Sequence, residues 1–474
     1  MLKKTSLLVI FLAAFVGLTN QVHGQIAGFW NGYVNLMGQN LRIVFFFEET
    51  QGGFTGVMGS PDQGLDGMPV THVHFADNTL EVNIDELGLT FSGVYDGAAE
   101  QIAGQVKQRG MAFPTVLKRE VLEAREIERP QTPKPPFPYT EETVTIAVAN
   151  GNYQLEGSFT RPETPIIAAV LLVSGSGPQD RDSEILGHRP FAVWADYLSR
   201  RGIAVLRYDE RGVAQSTGNF NLCNTFDLSA DAASAFGSLR ERVGKDLPCG
   251  VMGHSEGGIV APVVATLRSD VDFIVSLAGA GLPGKDILYT QNIDIAVAEG
   301  LTKETAEARA NRTLGAIERV IAGADSLAIS EALHDYFTQN PSELQELSSA
   351  EEFELWNTSL NTVWMRGLLV LDPREYWSKI TCPVLAINGD RDTQVNAAQN
   401  LRAIQFATRR AKNSKVKTVT LADHNHLFQR STTGAISEYG SLSETVSEET
   451  LETVYSWIRN LCIKTIIQRP PSHE

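Results

Sequence analysis

The segment Gly253-His254-Ser255-Glu256-Gly257 restricts the fold of this chain more than any other. It follows an apolar run at 249–253 and leads into a helix-like stretch that begins Gly258-Ile259-Val260. Turning from strand to helix over so few residues forces Ser255 into a strained backbone conformation, and bulky neighbours on either side would collide. The same turn exposes the serine hydroxyl and sets the N–H of Glu256 at a helix start, where partial positive charge favours an anion. An ordinary surface turn could carry the same letters, but the strand–turn–helix context argues against it. For the Glu256 side chain, the plain reading is an acid well placed at a helix N-terminus.

The second half of the chain has the texture that such a turn requires. Strand-like runs at 144–148, 155–160, 166–173, 203–208, 249–253, 273–277, 384–387 and 416–421 are mostly separated by helix-length segments. Several are continuously apolar, as strands buried on both faces must be, so the expected fold is α/β, a mostly parallel sheet with helices on both sides. One interval, from Leu277 to Val384, is too long for a loop and helical in pattern, with Leu314, Ile317 and Ile321 expected on one side. It predicts a helical cap at about 283–376.

Ahead of this domain, Pro130-Gln131-Thr132-Pro133-Lys134-Pro135-Pro136-Phe137-Pro138 follows a charged stretch. Such proline density excludes helix and central strand and stiffens a connection, so 119–138 reads as a linker and 139–474 as the larger domain. Residues 25–118 read instead as short strands. Leu41, Ile43, Phe45 and Phe47 alternate with other residues, and Leu80, Val82 and Ile84 repeat the pattern. A loose repeat (Trp30-Asn31-Gly32, Phe54-Thr55-Gly56, Phe91-Ser92-Gly93, Ile102-Ala103-Gly104) suggests a small antiparallel barrel or sandwich with glycine at its bends. Its aromatic residues read as core before they read as a ligand face.

Lys3 and Lys4 precede an apolar run from Leu7 to Leu18, with Val22 and Gly24 at small-residue positions. This is the order of a secretory signal at 1–24, with the mature chain starting near Gln25; an uncleaved anchor is the alternative. The run is short for a membrane span, and no stable span is expected after cleavage. The expected location is therefore periplasmic or extracellular. A chain of 474 residues with 43% hydrophobic residues can bury two cores. Its net charge of −16 argues against nucleic acid as a partner, because phosphate binding needs a basic face. Cys223, Cys249, Cys382 and Cys462 have neither zinc-site nor redox-motif spacing; export would permit a disulfide, for which Cys223 and Cys249 are the only pair close in sequence, and buried free thiols are the equal alternative. No cofactor or metal is expected.

A serine hydroxyl at neutral pH needs a base, and the base needs an acid to orient it. Asp392 lies just past the strand at 384–387, in Asn388-Gly389-Asp390-Arg391-Asp392, with Asp390 as its competitor. His426 and His424 compete for the base in Asp423-His424-Asn425-His426-Leu427-Phe428; Leu427 and Phe428 would tuck into the core and fix the backbone beside His426, leaving His424 a solvated loop residue. The loop Ser174-Gly175-Ser176-Gly177-Pro178 follows the strand at 166–173 and offers the N–H of Ser176 as a second oxyanion donor beside that of Glu256. It fails as a dinucleotide fingerprint, since Pro178 and Gln179 stand where a helix should begin.

Together, Gly253-His254-Ser255-Glu256-Gly257, Arg207-Tyr208-Asp209-Glu210-Arg211-Gly212, Gly175-Ser176-Gly177-Pro178-Gln179-Asp180-Arg181-Asp182 and Asn425-His426-Leu427-Phe428 resemble bacterial exported α/β-hydrolases of the EstD carboxylesterase type. The likeness covers about residues 130 to 458. It implies a triad of Ser255, Asp392 and His426, hydrolysis of a small-molecule ester, and a structural turn near the site formed by Asp209 and Arg211. Two departures stand out: Ala214 occupies a place where glycine is common, and Asp423-His424 replaces smaller or apolar residues. A peptidase, thioesterase or polysaccharide deacetylase would use the same groups. A non-catalytic binding protein with glycan contact through the β-rich domain is the reading from another class.

Overall fold

The computed structural model describes residues 25–36, 39–50, 53–60, 65–108, 111–119, 128–148, 151–339 and 349–468. The expected signal segment, 1–24, and most of the charged stretch before the prolines lie outside them. The chain divides into two compact units, one built on strands up to residue 118 and one on everything from residue 128 onward.

The first unit is a nine-stranded antiparallel sheet in the order β4-β3-β2-β1-β9-β8-β7-β6-β5. Its strands are β1 (Gly28–Leu36), β2 (Gln39–Thr50), β3 (Gly53–Ser60), β4 (Leu65–Pro69), β5 (His72–Ala76), β6 (Thr79–Ile84), β7 (Leu89–Asp96), β8 (Gln101–Gln108) and β9 (Met111–Lys118). The sheet curls until its ends approach: the Phe54 ring of β3 and the Phe75 ring of the far edge strand β5 meet edge to face. The alternating residues Leu41, Ile43, Phe45 and Phe47, with Leu80, Val82 and Ile84, all face the buried interior together with Trp30 and Phe91. The repeated glycines do not mark chain reversals as the sequence suggested. They sit inside strands, where Gly93 and Gly104 face one another in register. A Cβ on Gly104 would lie 2.2 Å from Ser92 O and 2.4 Å from Gly93 Cα, so strand pairing here tolerates no side chain. Gly104→Val should lower the unfolding free energy by about 1–3 kcal/mol or more, measured as a shifted urea midpoint.

The second unit is an eight-stranded sheet in the order β10-β11-β13-β12-β14-β15-β16-β17. The strands are β10 (Tyr139–Ala147), β11 (Gln154–Pro162), β12 (Ala168–Val173), β13 (Ile203–Tyr208), β14 (Cys249–His254), β15 (Phe273–Leu277), β16 (Val384–Gly389) and β17 (Val416–Leu421). β10 and β11 form an antiparallel margin; every pairing from β13 to β17 is parallel. Period-two geometry explains the continuous apolar runs. In β12, Ala169, Leu171 and Val173 enter one core, and Ala168, Val170 and Leu172 enter the other.

Among the described residues, this unit also has the helices α1 (Pro190–Ser199), α2 (Thr225–Val243), α3 (Gly257–Leu267), α4 (Gly284–Ala298), α5 (Lys303–Ile321), α6 (Ser326–Gln339), α7 (Ser349–Leu360), α8 (Val363–Val370), α9 (Pro373–Trp377), α10 (Ala397–Thr408), α11 (Ile436–Tyr439) and α12 (Glu448–Gln468). α1 and α12 cover one face through Phe191, Trp194, Leu198, Val454 and Ile458. α2, α3 and α10 cover the other through Phe236, Leu239, Val260, Val264 and Ile404. The start of α2 is fixed by a reciprocal cap, Asn224 accepting from Asp227 N–H and Asp227 from Asn224 N–H.

Helices α4 to α8 form the cap, around Ile317, Val320, Ile329, Leu333, Leu360 and Leu369. Its buried stripe on α5 is one step away from the predicted one. Thr313, Ala316, Ile317 and Val320 face inward, whereas Ile321 is exposed. The proline segment is fastened rather than free: Arg129 donates to the carbonyls of Leu186, Gly440 and Leu442, and Gln131 accepts from Thr445 and Val446 N–H. All four cysteines are free thiols, and Cys223, Cys249 and Cys462 are buried. No described helix is long and apolar enough to cross a membrane.

Candidate active site

The C-terminal ends of β12, β14, β16 and β17 bring the predicted residues to one place. Ser255 follows β14 directly and has φ of 54°, the left-handed region that a side chain rarely adopts. The strain is held by Ser255 N–H donating to Leu277 O and Gly258 N–H to Ser255 O, both at 2.9 Å. It is also imposed by crowding. A Cβ on Gly253 would stand 1.9 Å from Gly257 O, and one on Gly257 would stand 2.2 Å from Val173 O.

Asp392 is buried in the loop after β16. Its Oδ1 accepts from Gln394 and Val395 N–H, each at 2.8 Å, and its Oδ2 accepts from His426 Nδ1, also at 2.8 Å. Holding the proton on Nδ1 leaves the His426 Nε2 lone pair free. The Asn425 side chain accepts from Leu427 and Gln429 N–H, which turns the backbone tightly beside His426. Leu427 and Phe428 are buried immediately after it.

The two competitors have other places. Asp390 is exposed and accepts from Asp423 N–H. His424 is not a solvated loop residue: it is fully buried, with Nδ1 against Ala422 O and Nε2 against Ser447 Oγ, both at 2.6 Å. It pins the loop after β17 to the start of α12, which explains a bulky residue in a position expected to be small.

Ser255 and His426 line one cavity of about 220 Å³, together with Gly175, Ser176, His254 and Glu256. Its walls are largely apolar, from Phe191 and Trp194 on α1 to Ile287, Leu288, Trp364 and Leu368 of the cap. The loop at 174–177 approaches so closely that a Cβ on Gly175 would meet Ser255 Cβ at 3.1 Å. No cluster of three or more histidines, cysteines or acids suited to a metal occurs among the described residues.

Two residues at the site, His254 and Trp364, were not singled out by sequence. His254 Nε2 donates to the backbone carbonyl of His426 at 2.9 Å, and the two rings lie 4.8 Å apart. Burial first, and the neighbouring His426 second, push the His254 pKa down to about 3. Asp209 pairs with Arg181 at 2.6 Å and Arg211 with Asp231 at 2.7 Å, tying the turn after β13 to the loop before α1 and to α2. Ala214 in that turn has φ of 46°, which is why glycine suits the position. Glu256 stands at the N-terminus of α3, as expected, and is also buried. Its buried carboxyl accepts from Thr225 Oγ1 at 2.7 Å and from Trp364 Nε1 at 2.9 Å, and burial raises its pKa.

A parallel sheet with an antiparallel margin, a strained serine at the strand–helix turn after β14 and a late histidine held by a carboxylate define an α/β-hydrolase. Residues 189–429 match the family model described as serine aminopeptidase, S33, and the chain belongs to that family. Esterase EstD of Thermotoga maritima is 28% identical over 295 residues, covering 62% of this chain and 61% of its own length. An esterase of Pyrococcus furiosus is structurally similar with a TM-score of 0.41 and 17% identity, covering 72% of this chain and 97% of that one. Proline iminopeptidase of Mycobacterium smegmatis gives a TM-score of 0.42 and 14% identity, covering 68% of this chain and 100% of that one.

Because its folded-state pKa lies far below that of a free imidazole, His254 stays neutral through the range in which histidines ordinarily charge. Its ring NMR signals should be constant from about pH 8 to pH 5, whereas a solvated histidine titrates across that range.

Proposed function

We propose that this protein is a serine hydrolase that cleaves carboxylic esters, with Ser255 as nucleophile, His426 as general base and Asp392 as its orienting acid. The observation that carries the reading is the 2.8 Å bond from His426 Nδ1 to Asp392, beside a cavity that His426 shares with a strained Ser255. His426 Nε2 takes the Ser255 proton as Oγ attacks the ester carbonyl carbon. The alkoxide that forms is received by the N–H groups of Ser176 and Glu256. On collapse, the ester C–O bond breaks and His426 protonates the departing alcohol. Water then repeats the sequence on the acyl-enzyme, releasing the acid and restoring Ser255.

The family model carries the description of an aminopeptidase, and an amide would pass through the same intermediates. One observation favours an ester. An aminopeptidase needs a carboxylate for the substrate ammonium, and the carboxyl that lines the cavity belongs to Glu256, whose oxygens already accept from Thr225 and Trp364. The apolar walls suit an uncharged acyl group. Similarity to the Thermotoga maritima esterase supports the same choice, although the chain spans only about 61% of that protein's length.

Ser255→Ala should lower kcat on p-nitrophenyl butyrate roughly a millionfold and abolish fluorophosphonate labelling. Asp392→Asn should lower kcat by about 10⁴-fold by reversing the His426 tautomer. A folded Ser255→Ala protein with unaltered turnover overturns the reading. Faster turnover of aminoacyl p-nitroanilides than of p-nitrophenyl esters replaces the esterase with a peptidase.

The proposal includes export, on the strength of Lys3, Lys4 and the apolar run after them. Amino-terminal sequencing of protein recovered outside the cytoplasm should then begin at or near Gln25.

A further inference from the structure

Two carboxylic acids outside the Ser255, His426 and Asp392 set converge on the loop at 174–179. Glu210 is 3% exposed. Its Oε1 accepts from Ser174 Oγ at 3.2 Å, its Oε2 from Gln179 N–H at 3.0 Å, and its own N–H donates to Gln179 O at 3.1 Å. One side chain therefore restrains both ends of the loop, with Ser176 between them. Glu256, 4% exposed, approaches from the side of the turn after β14. It accepts from Thr225 at the start of α2 and from Trp364 on α8, and the Ser176 side chain also interacts with its carboxyl, favouring the anion.

Stability alone does not account for these groups. Burying a carboxyl costs several kcal/mol if it is ionised, and well-packed apolar residues of similar size often do as well or better. The nearby guanidinium groups are committed elsewhere, Arg181 to Asp209 and Arg211 to Asp231. What the two acids have in common is the segment that carries the Ser176 N–H. An oxyanion donor works only near its ideal distance, about 2.7–3.1 Å from the developing alkoxide, so a loop held loosely would lose most of its effect.

We propose that Glu210 and Glu256 are positioning residues that hold the 174–179 loop so that the Ser176 N–H meets the oxyanion, with Trp364 joining cap helix α8 to the same brace. This deepens the assignment of Ser255 as nucleophile and rests on it. Trp364 lines the substrate cavity while its N–H is held by Glu256, so contact between an acyl group and the cap bears on the carboxyl that steadies the oxyanion loop.

The test compares Glu210→Leu and Glu256→Leu with the isosteric Glu210→Gln and Glu256→Gln, and with the milder Ser174→Ala and Trp364→Phe. Each is assayed for kcat and KM on p-nitrophenyl butyrate, for affinity toward an arylboronic acid that forms a tetrahedral adduct on Ser255, and for thermal midpoint. The leucine variants should lose about a hundredfold in kcat, with KM changed by no more than about threefold and boronate affinity falling in step with kcat. The glutamine variants should recover about tenfold of that loss, because an amide can accept from Gln179 or Trp364 N–H while its NH₂ donates to a hydroxyl. Trp364→Phe and Ser174→Ala should each cost about three- to tenfold in kcat, again mirrored in boronate affinity.

The proposal is overturned if folded leucine variants keep wild-type kcat, or if kcat falls while boronate affinity does not. If the leucine variants fail to fold, wild-type kcat and boronate affinity in both Ser174→Ala and Trp364→Phe overturn it. Failure of the wild-type enzyme itself to form the boronate adduct strikes instead at Ser255 as nucleophile.

Discussion

The site depends on one residue's backbone being held where it does not want to be. A left-handed serine costs roughly 1–3 kcal/mol, and it persists only when its surroundings overdetermine it. Here they do so through crowding and hydrogen bonding together. Gly257 is pressed against the carbonyl of Val173, Gly258 against Gly279, and the Ser255 N–H is claimed by Leu277. Those contacts exist only because β12, β14 and β15 lie side by side in parallel register, with apolar side chains filling both faces. The two cores are therefore the source of the force that keeps one hydroxyl pointing into a cavity.

Around that turn, similar side chains take different roles according to their partners. His426 has a carboxylate on Nδ1 and a cavity beyond its ring; His254 has only a backbone carbonyl and burial, and is held neutral. His424 and His188 are buried and serve as joints, His188 linking Thr445 and Tyr439 while burial moves its pKa down to about 4. The acids divide in the same way. Asp209 has a guanidinium and a pKa below the usual carboxylate range despite its burial, whereas Glu210, its neighbour in sequence, has none and is raised well above it by desolvation. Residue type by itself predicts none of this; the number and kind of donors at each carboxyl decides it.

The fold was legible where a local pattern carries the information. Period-two alternation at Leu41 to Phe47 marks the buried face of β2, and continuous apolar runs mark the strands covered on both sides. The candidate site was legible where order along the chain substitutes for space: Ser255, Asp392 and His426 follow β14, β16 and β17, which lie within a run of four adjoining parallel strands. What escaped is what depends on contacts between distant segments. Glu256 meets Trp364 across 108 residues, and His254 meets His426 across 172. The glycines of the first unit were misplaced at bends because sequence cannot distinguish a turn from two strands packed too tightly for a side chain. The stripe on α5 slipped by one residue because neither hydrophobicity nor period says where a helix rotates against its neighbours.

The cap enters the chain between β15 and β16, which are hydrogen-bonded to each other along their length. An insertion whose two ends return to adjoining strands can be lengthened, shortened or exchanged without shifting the register of the sheet beneath it. Descendants of such a scaffold are free to diverge in what they admit while conserving how they react. The freedom has one limit written into this molecule: any substitute lid has to present a hydrogen-bond donor where Trp364 stands, or it leaves a buried acid short of a partner.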